Sequence, residues 1–304
     1  MDIAVTGSSG LIGTRLMARL REEGHRPIAV VRRAPKAGAD EIEWQPAAGT
    51  IDAASLEGVD AVINLAGAGI GDKRWNDAYR KLLVTSRIDS TSLLAETLAG
   101  LDKAPSVLLS GSAIGYYGNR ADEELTEASS PGDDFLAELC VDWEAAAKPA
   151  VDASIRTAYL RTGIVLTPDG GALAKMLPLF KLGVGGRFGA GRQYMSWITL
   201  DDEVEAIIAL LTNDVSGPVN LTAPGPVTNA DFTAALGRAL GRPTLFPVPA
   251  FGPKLLRGGD MAQALLFDSQ RVLPTVLQNA GYGFHHAEIE AGLRAVIGRE
   301  EVAA

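Results

Sequence analysis

A doubly wound α/β fold is predicted, a parallel sheet wrapped by crossover helices with a smaller C-terminal α+β lobe, and three observations predict it. Short β-branched runs alternate with longer amphipathic segments through the first half of the chain. A glycine-rich turn stands between the first strand and the first helix. The length of 304 residues allows one large or two ordinary domains with a substantial core. Taken in order, Ile3-Ala4-Val5 is a short buried strand. Leu11 to Glu23 carries apolar residues at Leu11, Ile12, Leu16, Met17 and Leu20, the spacing of one helix face. Gly24 closes that helix, and Ile28 to Val31 is the next strand. Ala61 to Leu65 continues the sheet, a helix runs from about Trp75 to Leu98, and Val107 to Ser110 is a further strand. The helix over about Asp134 to Ala147 ends at Lys148-Pro149, and Ile155 to Arg161 reads as the last strong strand of the first part. Beyond Gly163 the stretch holding Gly170, Gly171, Gly183, Gly185, Gly186, Gly189 and Gly191 predicts loops closing over a ligand. Helical patterns resume at Asp201 to Leu211, Asn229 to Leu240 and Ala287 to Ile297.

Composition narrows the class. With 37 acidic against 28 basic residues the net charge is -9, which repels nucleic acid and anionic lipid while leaving room for a local anion site. The single cysteine, Cys140, forms no internal disulfide, and multi-cysteine zinc is excluded. No apolar run reaches the ~18–20 residues of a membrane span, and no basic segment precedes a cleavable apolar stretch at the N-terminus. These features predict a cytoplasmic protein without a membrane or nucleic-acid partner. The three histidines, His25, His285 and His286, fit no metal spacing, so no metal is expected.

The informative motif is Thr6-Gly7-Ser8-Ser9-Gly10-Leu11-Ile12-Gly13. Glycine at 7, 10 and 13 permits a tight turn, close approach of backbone to a pyrophosphate, and close packing of helix on strand. The amides of Ser9 to Gly13 at the helix start then face the phosphates. At the end of the next strand, where a carboxylate would hold an adenosine ribose, stands Val31-Arg32-Arg33. Arg32 and Arg33 either grip the 2′-phosphate of NADP through planar charge-assisted hydrogen bonds or form a solvated surface pair. The first reading makes NADP(H) the cofactor. Residues 1–165 are then the NADP-binding domain, with a strand around 194–200 and its following helix returning to it, and 166–304 are mainly the substrate side.

These residues resemble the short-chain dehydrogenase/reductase superfamily in its extended branch of epimerases and dehydratases, which has a Rossmann domain. Asn64-Leu65-Ala66-Gly67 looks like that family's motif beside the adenine and ribose, placing Leu65, Ala66 and Gly67 at the cofactor. Ser110-Gly111-Ser112 looks like the strand end that carries the catalytic serine. Residues 112–118 (SAIGYYG), 160–166 (LRTGIVL), 191–198 (GRQYMSWI) and 268–274 (DSQRVLP) are similar to an atypical subgroup of epimerase-family proteins of unassigned substrate. The similarity runs from the first strand to about Leu293. It implies hydride transfer with NADP(H) on a small polar substrate resembling a nucleotide sugar, and homodimers as a known assembly of the fold. Ser110, Gly163 and Arg87 fall at cofactor positions, Arg87 where many relatives have asparagine; it either reaches a phosphate or is a surface charge.

The departure from the family is as telling. Active members carry Tyr-x-x-x-Lys on the helix after the serine strand, and counting back from Glu144 puts Leu136 at the tyrosine and Cys140 at the lysine position. Leucine has no titratable proton, and a thiol offers no fixed charge. Ser112 is expected to hydrogen-bond the substrate oxygen, and Tyr116 or Tyr117 to relay the proton or to shape the pocket; Asp134 or Glu138 is an alternative acid near the helix start. On the substrate side, family positions for arginine, aspartate and histidine are Met195, Ser196 and Thr199. Arg192 is the nearest basic residue for an anion, and Trp197 is either a stacking platform or a core aromatic. Two further readings stay open: a non-catalytic NADPH sensor or scaffold, favoured by the missing Tyr-Lys pair, and an interaction protein with a vestigial cleft that binds no dinucleotide.

Overall fold

The computed structural model describes residues 1–249, 251, 255 and 258–303, with 299–303 described by backbone alone. Its main sheet has eight strands: β1 (Asp2–Thr6), β2 (Arg26–Val31), β3 (Glu41–Gln45), β4 (Thr50–Ile51), β5 (Ala61–Asn64), β6 (Val107–Ala113), β8 (Arg156–Thr162) and β12 (Gly217–Leu221). They lie in the order β12-β8-β6-β5-β1-β2-β3-β4. All neighbours are parallel except β3 and β4. The winding direction reverses between β1 and β5, and that switch point opens a crevice at the carboxyl ends of the strands.

Both faces of the sheet are covered, which is why its strands read as continuous apolar runs. On one face α1 (Leu11–Glu22) and α6 (Leu200–Thr212) bury Leu16, Leu20, Val204 and Ile207 against Ile3, Val5, Leu109 and Leu160. On the other, α2 (Asp77–Ala99) and α4 (Lys148–Asp152) press Leu94, Leu98 and Ala150, together with Ala147 just before α4, onto Val62 and Leu108, while α3 (Phe135–Ala145) packs beside α2. Each large aliphatic side chain fully buried in this way contributes ~1.5–3 kcal/mol. Asn76, Asp134, Thr199 and Thr228 cap their helices by accepting backbone N–H groups, the commonest way of satisfying a helix start.

The smaller lobe has its own core. β9 (Ile164–Leu166) pairs with β11 (Trp197–Thr199), and β10 (Tyr194–Met195) pairs with β13 (Val227–Thr228). α5 (Gly171–Lys181), α7 (Asn229–Leu240) and the closing helix Ile289–Ala303 enclose Leu173, Phe180, Phe232, Leu236 and Leu293. A short strand β7 (Glu124–Leu125) pairs with Arg271–Val272 and ties the late chain to the β6 side.

Two expectations need correction. The strand near 194–200 does not return to the main sheet; residues 197–199 pair with β9, and the returning strand is β12, some twenty residues later, beside β8. Only the following helix, α6, goes back to the first part, where it packs on α1. The glycine stretch after Gly163 is not all loop either, since α5 runs through Pro178, whose disruptive signal hid a helix stabilised by packing of Leu173, Leu177 and Phe180. Among the described residues no helix is long and apolar enough to cross a membrane, and no cluster of three or more His, Cys, Asp or Glu is arranged to hold a metal ion.

Candidate active site

The glycine turn joins β1 to α1 at the switch point. Gly7 has φ +64, and a Cβ there would lie 2.5 Å from the Leu65 carbonyl oxygen. A Cβ on Gly13 would lie 2.2 Å from the carbonyl oxygen of Gly7, so neither position admits a side chain. The Gly7 carbonyl accepts the Gly10 amide at 2.9 Å, which closes the turn and starts α1 at Leu11. α1 has no side-chain cap and no acidic residue in its first turn. Its first amides therefore open onto the crevice with the positive end of the helix behind them. Ser9 and Gly10 are exposed, and Leu11 and Ile12 are half-buried. This cradle fits a pyrophosphate by shape and by charge.

A buried hydrogen-bond network fixes the opposite wall. Thr6 Oγ1 donates to Asn64 Oδ1 at 2.7 Å and accepts the amides of Leu65 and Ala66 at 3.1 and 3.2 Å. Asn64 Nδ2 donates to Thr91 Oγ1 at 2.8 Å, which also accepts Trp143 Nε1 at 3.0 Å. The Leu65-Ala66-Gly67 loop is thus held against the glycine turn by Thr6. Thr6 and Asn64 sit inside the quoted motifs, but their positioning role was not read from the sequence; Thr91 and Trp143 carry no motif signal at all.

At the β2 end the two arginines differ. Arg33 donates to both carboxylate oxygens of Glu41, at 2.8 and 2.6 Å, and with the Lys36 amide holds that carboxyl down to about 2. Arg32 is exposed and its guanidinium has no partner among the described residues. The two arginines expected at the phosphate thus stand in different settings, Arg33 paired with a carboxylate and Arg32 without a partner among the described residues.

The corner formed by β6, α3 and β8 departs furthest from expectation. Ser112 and Arg161 are register partners on adjacent strands, and Asn220 is the partner of Arg161 on the next. Arg161, 3% exposed, donates to Glu144 through Nε at 2.8 Å and Nη2 at 2.9 Å, and to Tyr117 Oη at 3.0 Å. Burial opposes its charge, but hydrogen bonds and attraction from Glu144 and Tyr117 carry its pKa upward. Tyr117 in turn donates to Asn220 Oδ1 at 2.7 Å. Ser112 is 5% exposed and donates its one hydroxyl proton to Glu144 at 2.7 Å. It is therefore not free to donate to a substrate oxygen, contrary to expectation. Tyr117 is fully buried, with its pKa raised to about 12 by burial, and is a structural member of the same network rather than a relay. Tyr116 is half-buried with the Arg161 guanidinium 3.4 Å from its ring centre, and its hydroxyl has no partner among the described residues.

The remaining candidates separate cleanly. Asp134 caps α3 by accepting the amides of Leu136 and Ala137 at 2.8 and 3.0 Å, which occupies it. Cys140 is buried and burial pushes its thiol up to about 12, so it stays neutral. Trp197 is fully buried in the lobe core, donates to the Gly225 carbonyl at 2.9 Å and packs where Gly292 leaves room; it is not a stacking platform. Arg192 is exposed on the loop before β10. Ser110 is buried with an unpartnered Oγ, and the Gly163 amide donates to the Leu221 carbonyl at 3.0 Å as a sheet contact. Arg87 projects from α2 toward Gly67, 5.0 Å over the Trp143 ring, and burial lowers its pKa. One further group was not foreseen. Glu203 is fully buried on α6, accepts from Thr162 Oγ1 at 2.8 Å, and burial raises its pKa to about 8.

Known proteins share both the fold and the sequence. A family model described as the NAD dependent epimerase/dehydratase family matches residues 3–222, and one described as a domain of unknown function, DUF1731, matches residues 248–296. The epimerase family protein Mb2239 of Mycobacterium bovis is 47% identical over 96% of this chain and 96% of its own length. The crystal structure of human epimerase family protein SDR39U1 (isoform 2) with NADPH has a TM-score of 0.90 and 34% identity, covering 98% of this chain and 99% of that one. The UDP-glucose 4-epimerase of Thermus thermophilus, in complex with NAD, shares the fold with a TM-score of 0.75 at 18% identity over the whole of both chains.

Proposed function

The chain belongs to the NAD dependent epimerase/dehydratase family, and from that premise we propose that it binds NADP(H) and acts as an oxidoreductase or epimerase by hydride transfer on a small polar substrate, possessing the outline of a nucleotide-sugar enzyme without its usual acid. The observation that carries this reading is the uncapped, acid-free start of α1 within a turn whose Gly7 and Gly13 admit no side chain. Arg32, unpaired at the end of β2, supports the phosphorylated form of the cofactor, as does the NADPH in the human relative's crystal structure.

When bound, the nicotinamide supplies or accepts the hydride. The protein's own part is to orient and to exclude water. Backbone amides of α1 hold the pyrophosphate, and the Thr6-pinned loop Leu65-Ala66-Gly67 forms the wall beside it. Gly163 and Ser110 complete the cofactor edge of the sheet in this reading, and Arg192 supplies a charge to the substrate. Tyr116 is the one candidate of the β6 corner whose hydroxyl can still hand a proton to a substrate oxygen. This reading also proposes a cytoplasmic protein, with a homodimer as one assembly open to the fold.

A second reading has its own support. With Leu136 and Cys140 in place of tyrosine and lysine, and Ser112 tied to Glu144, the corner offers little proton chemistry, which favours an NADPH sensor or scaffold that does not turn over. Fluorescence titration with NADPH and NADH tests the cofactor: tight NADPH and at least tenfold weaker NADH are expected, and equal tight binding of NADH defeats the NADP reading. Net NADPH consumption, measured with carbonyl substrates, separates a reductase from an epimerase, which returns its hydride. Tyr116→Phe then lowers turnover without loss of NADPH affinity if Tyr116 is the donor.

A further inference from the structure

The crevice is bridged across its middle, and the smaller lobe makes the bridge. Gly170 and Gly171 start α5 directly on the phosphate turn: a Cβ on Gly170 would stand 2.9 Å from Leu11 Cδ1, and Gly171 turns with φ +65. About one turn further along α5, Lys175 reaches the opposite wall, where its Nζ donates to the Gly71 carbonyl at 3.0 Å. A second tether lies toward α3. Arg80, near the start of α2, donates through Nη2 at 2.6 Å to Oδ2 of Asp260 on the short helix Gly259–Ala262. Its guanidinium is aimed by two rings, Cζ lying 4.8 Å from the centre of Phe135 and 5.6 Å from that of Trp75.

The loop that receives these tethers is stiff. Trp75 Nε1 donates to the Ile70 carbonyl at 2.9 Å, the Tyr79 hydroxyl to the Gly69 carbonyl at 2.6 Å, and the Ala68 amide to Ser86 Oγ at 3.0 Å. The tethers themselves are weak, because Lys175 is exposed and the Asp260 side chain is 80% exposed. Contacts of this kind add little to the stability of a fold and open readily. Strand order shows what passes beneath them. In the cofactor reading the dinucleotide follows the carboxyl edge of the sheet from Arg32 at β2, past the turn after β1 and the Leu65-Ala66-Gly67 wall after β5, toward β6. From β2 to β6 is three strand spacings, about 14 Å. The Lys175 tether joins the β1 side to the β5 side, so it crosses that path. The Arg80 tether stands beyond it, over a cavity of about 280 Å³ walled by Trp75, Phe135, Leu136 and Gln263.

We infer that Lys175 and the Arg80–Asp260 pair form a clasp between the smaller lobe and the loop from β5 to α2, which opens to admit NADP(H) and closes over it. Both contacts run from protein to protein, so closure favours neither the free nor the bound state. The clasp therefore sets the rates of entry and exit and leaves affinity nearly unchanged, since ligand enters only in the open fraction.

This inference rests on the NADP(H) reading above, and stopped-flow fluorescence separates the two. NADPH association and dissociation rates are measured for wild type, Lys175→Met, Asp260→Asn and the double variant, and thermal unfolding confirms that each is folded. Each single substitution is expected to raise both rates about two- to fivefold, and the double variant about five- to twentyfold, with Kd within about threefold of wild type. Unchanged rates in the double variant overturn the clasp. Faster exit with unchanged entry overturns it as well, because that is the mark of a lost contact to the cofactor itself. Failure of the wild type to bind NADPH removes the NADP(H) reading and this inference with it, whereas binding with wild-type rates in the double variant leaves the cofactor reading standing alone.

Discussion

The phosphate turn and the β6–α3–β8 corner lie on one edge of one sheet and are built on opposite plans. At the turn, recognition is made of backbone: side chains are withheld at Gly7 and Gly13, no residue caps α1, and the amides stay free. At the corner polar side chains are plentiful, but Ser112, Glu144, Arg161, Tyr117 and Asn220 satisfy one another. The difference teaches that polar residues near a cleft are evidence of chemistry only when their donors and acceptors remain available to a ligand; in the corner they lock three strands together.

The comparison breaks most visibly at Glu144. Glu144→Ala strands the Arg161 charge at 3% exposure, and a loss of ~3–5 kcal/mol in urea unfolding is expected. Replacing both partners by apolar residues should recover most of it, and a single-variant cost below about 1 kcal/mol would mean that the corner is not a lock. Gly13→Ala drives a methyl into the Gly7 carbonyl and should cost about 1–3 kcal/mol together with a large drop in NADPH affinity; a stable variant that still binds NADPH would sink the backbone-cradle argument. Glu203 probes the seam between the two regions. Its raised folded pKa means that the folded state holds a proton the unfolded chain has released, so stability falls as pH rises from about 4.3, the ordinary glutamate value, toward about 8, and levels off above it. Glu203→Gln should flatten that slope in thermal unfolding and be the more stable form at pH 8 by more than about 1 kcal/mol. The smallest effect sharpens the adenosine end: Arg32→Ala should weaken NADPH about tenfold with little change for NADH, and Arg33→Ala should do less, since its guanidinium already serves Glu41.

Much of this was legible in the sequence. The alternation of strands and helices and the glycine spacing located β1, α1, β2, β5, α2, β6 and β8, because apolar periodicity and turn glycines are local signals. Asn229–Leu240 likewise appears as read. What stayed hidden depends on distance in the chain. β12 joins β8 only through pairing set up after a long excursion, so nothing local marks Gly217–Leu221 as a main-sheet strand rather than a lobe strand. Trp197 looked equally suited to a ligand or a core, and Gly292, nearly a hundred residues on, decides for the core. Ser112 was placed at a strand end, yet its partner was set by Glu144, on a helix the local pattern located but whose contact with Ser112 no local signal marks. Arg32 and Arg33 are indistinguishable as letters and are told apart by Glu41, which belongs to a strand the periodicity did not reveal.

The late arrival of β12 has a consequence for how this chain must fold. The sheet cannot be completed as the chain emerges: β8 keeps an open edge until the segment through β9, α5, β11 and α6 has been made and Gly217–Leu221 returns to it. Pairings of such long sequence separation pay loop entropy before they gain contacts, so closure of this edge should come late. A fragment ending near residue 165 would carry the whole glycine turn and still present β8 as a bare, apolar parallel edge, a template for other copies. The two halves read from the sequence are thus joined through β12 in one sheet, and the first half is best studied with its lobe attached.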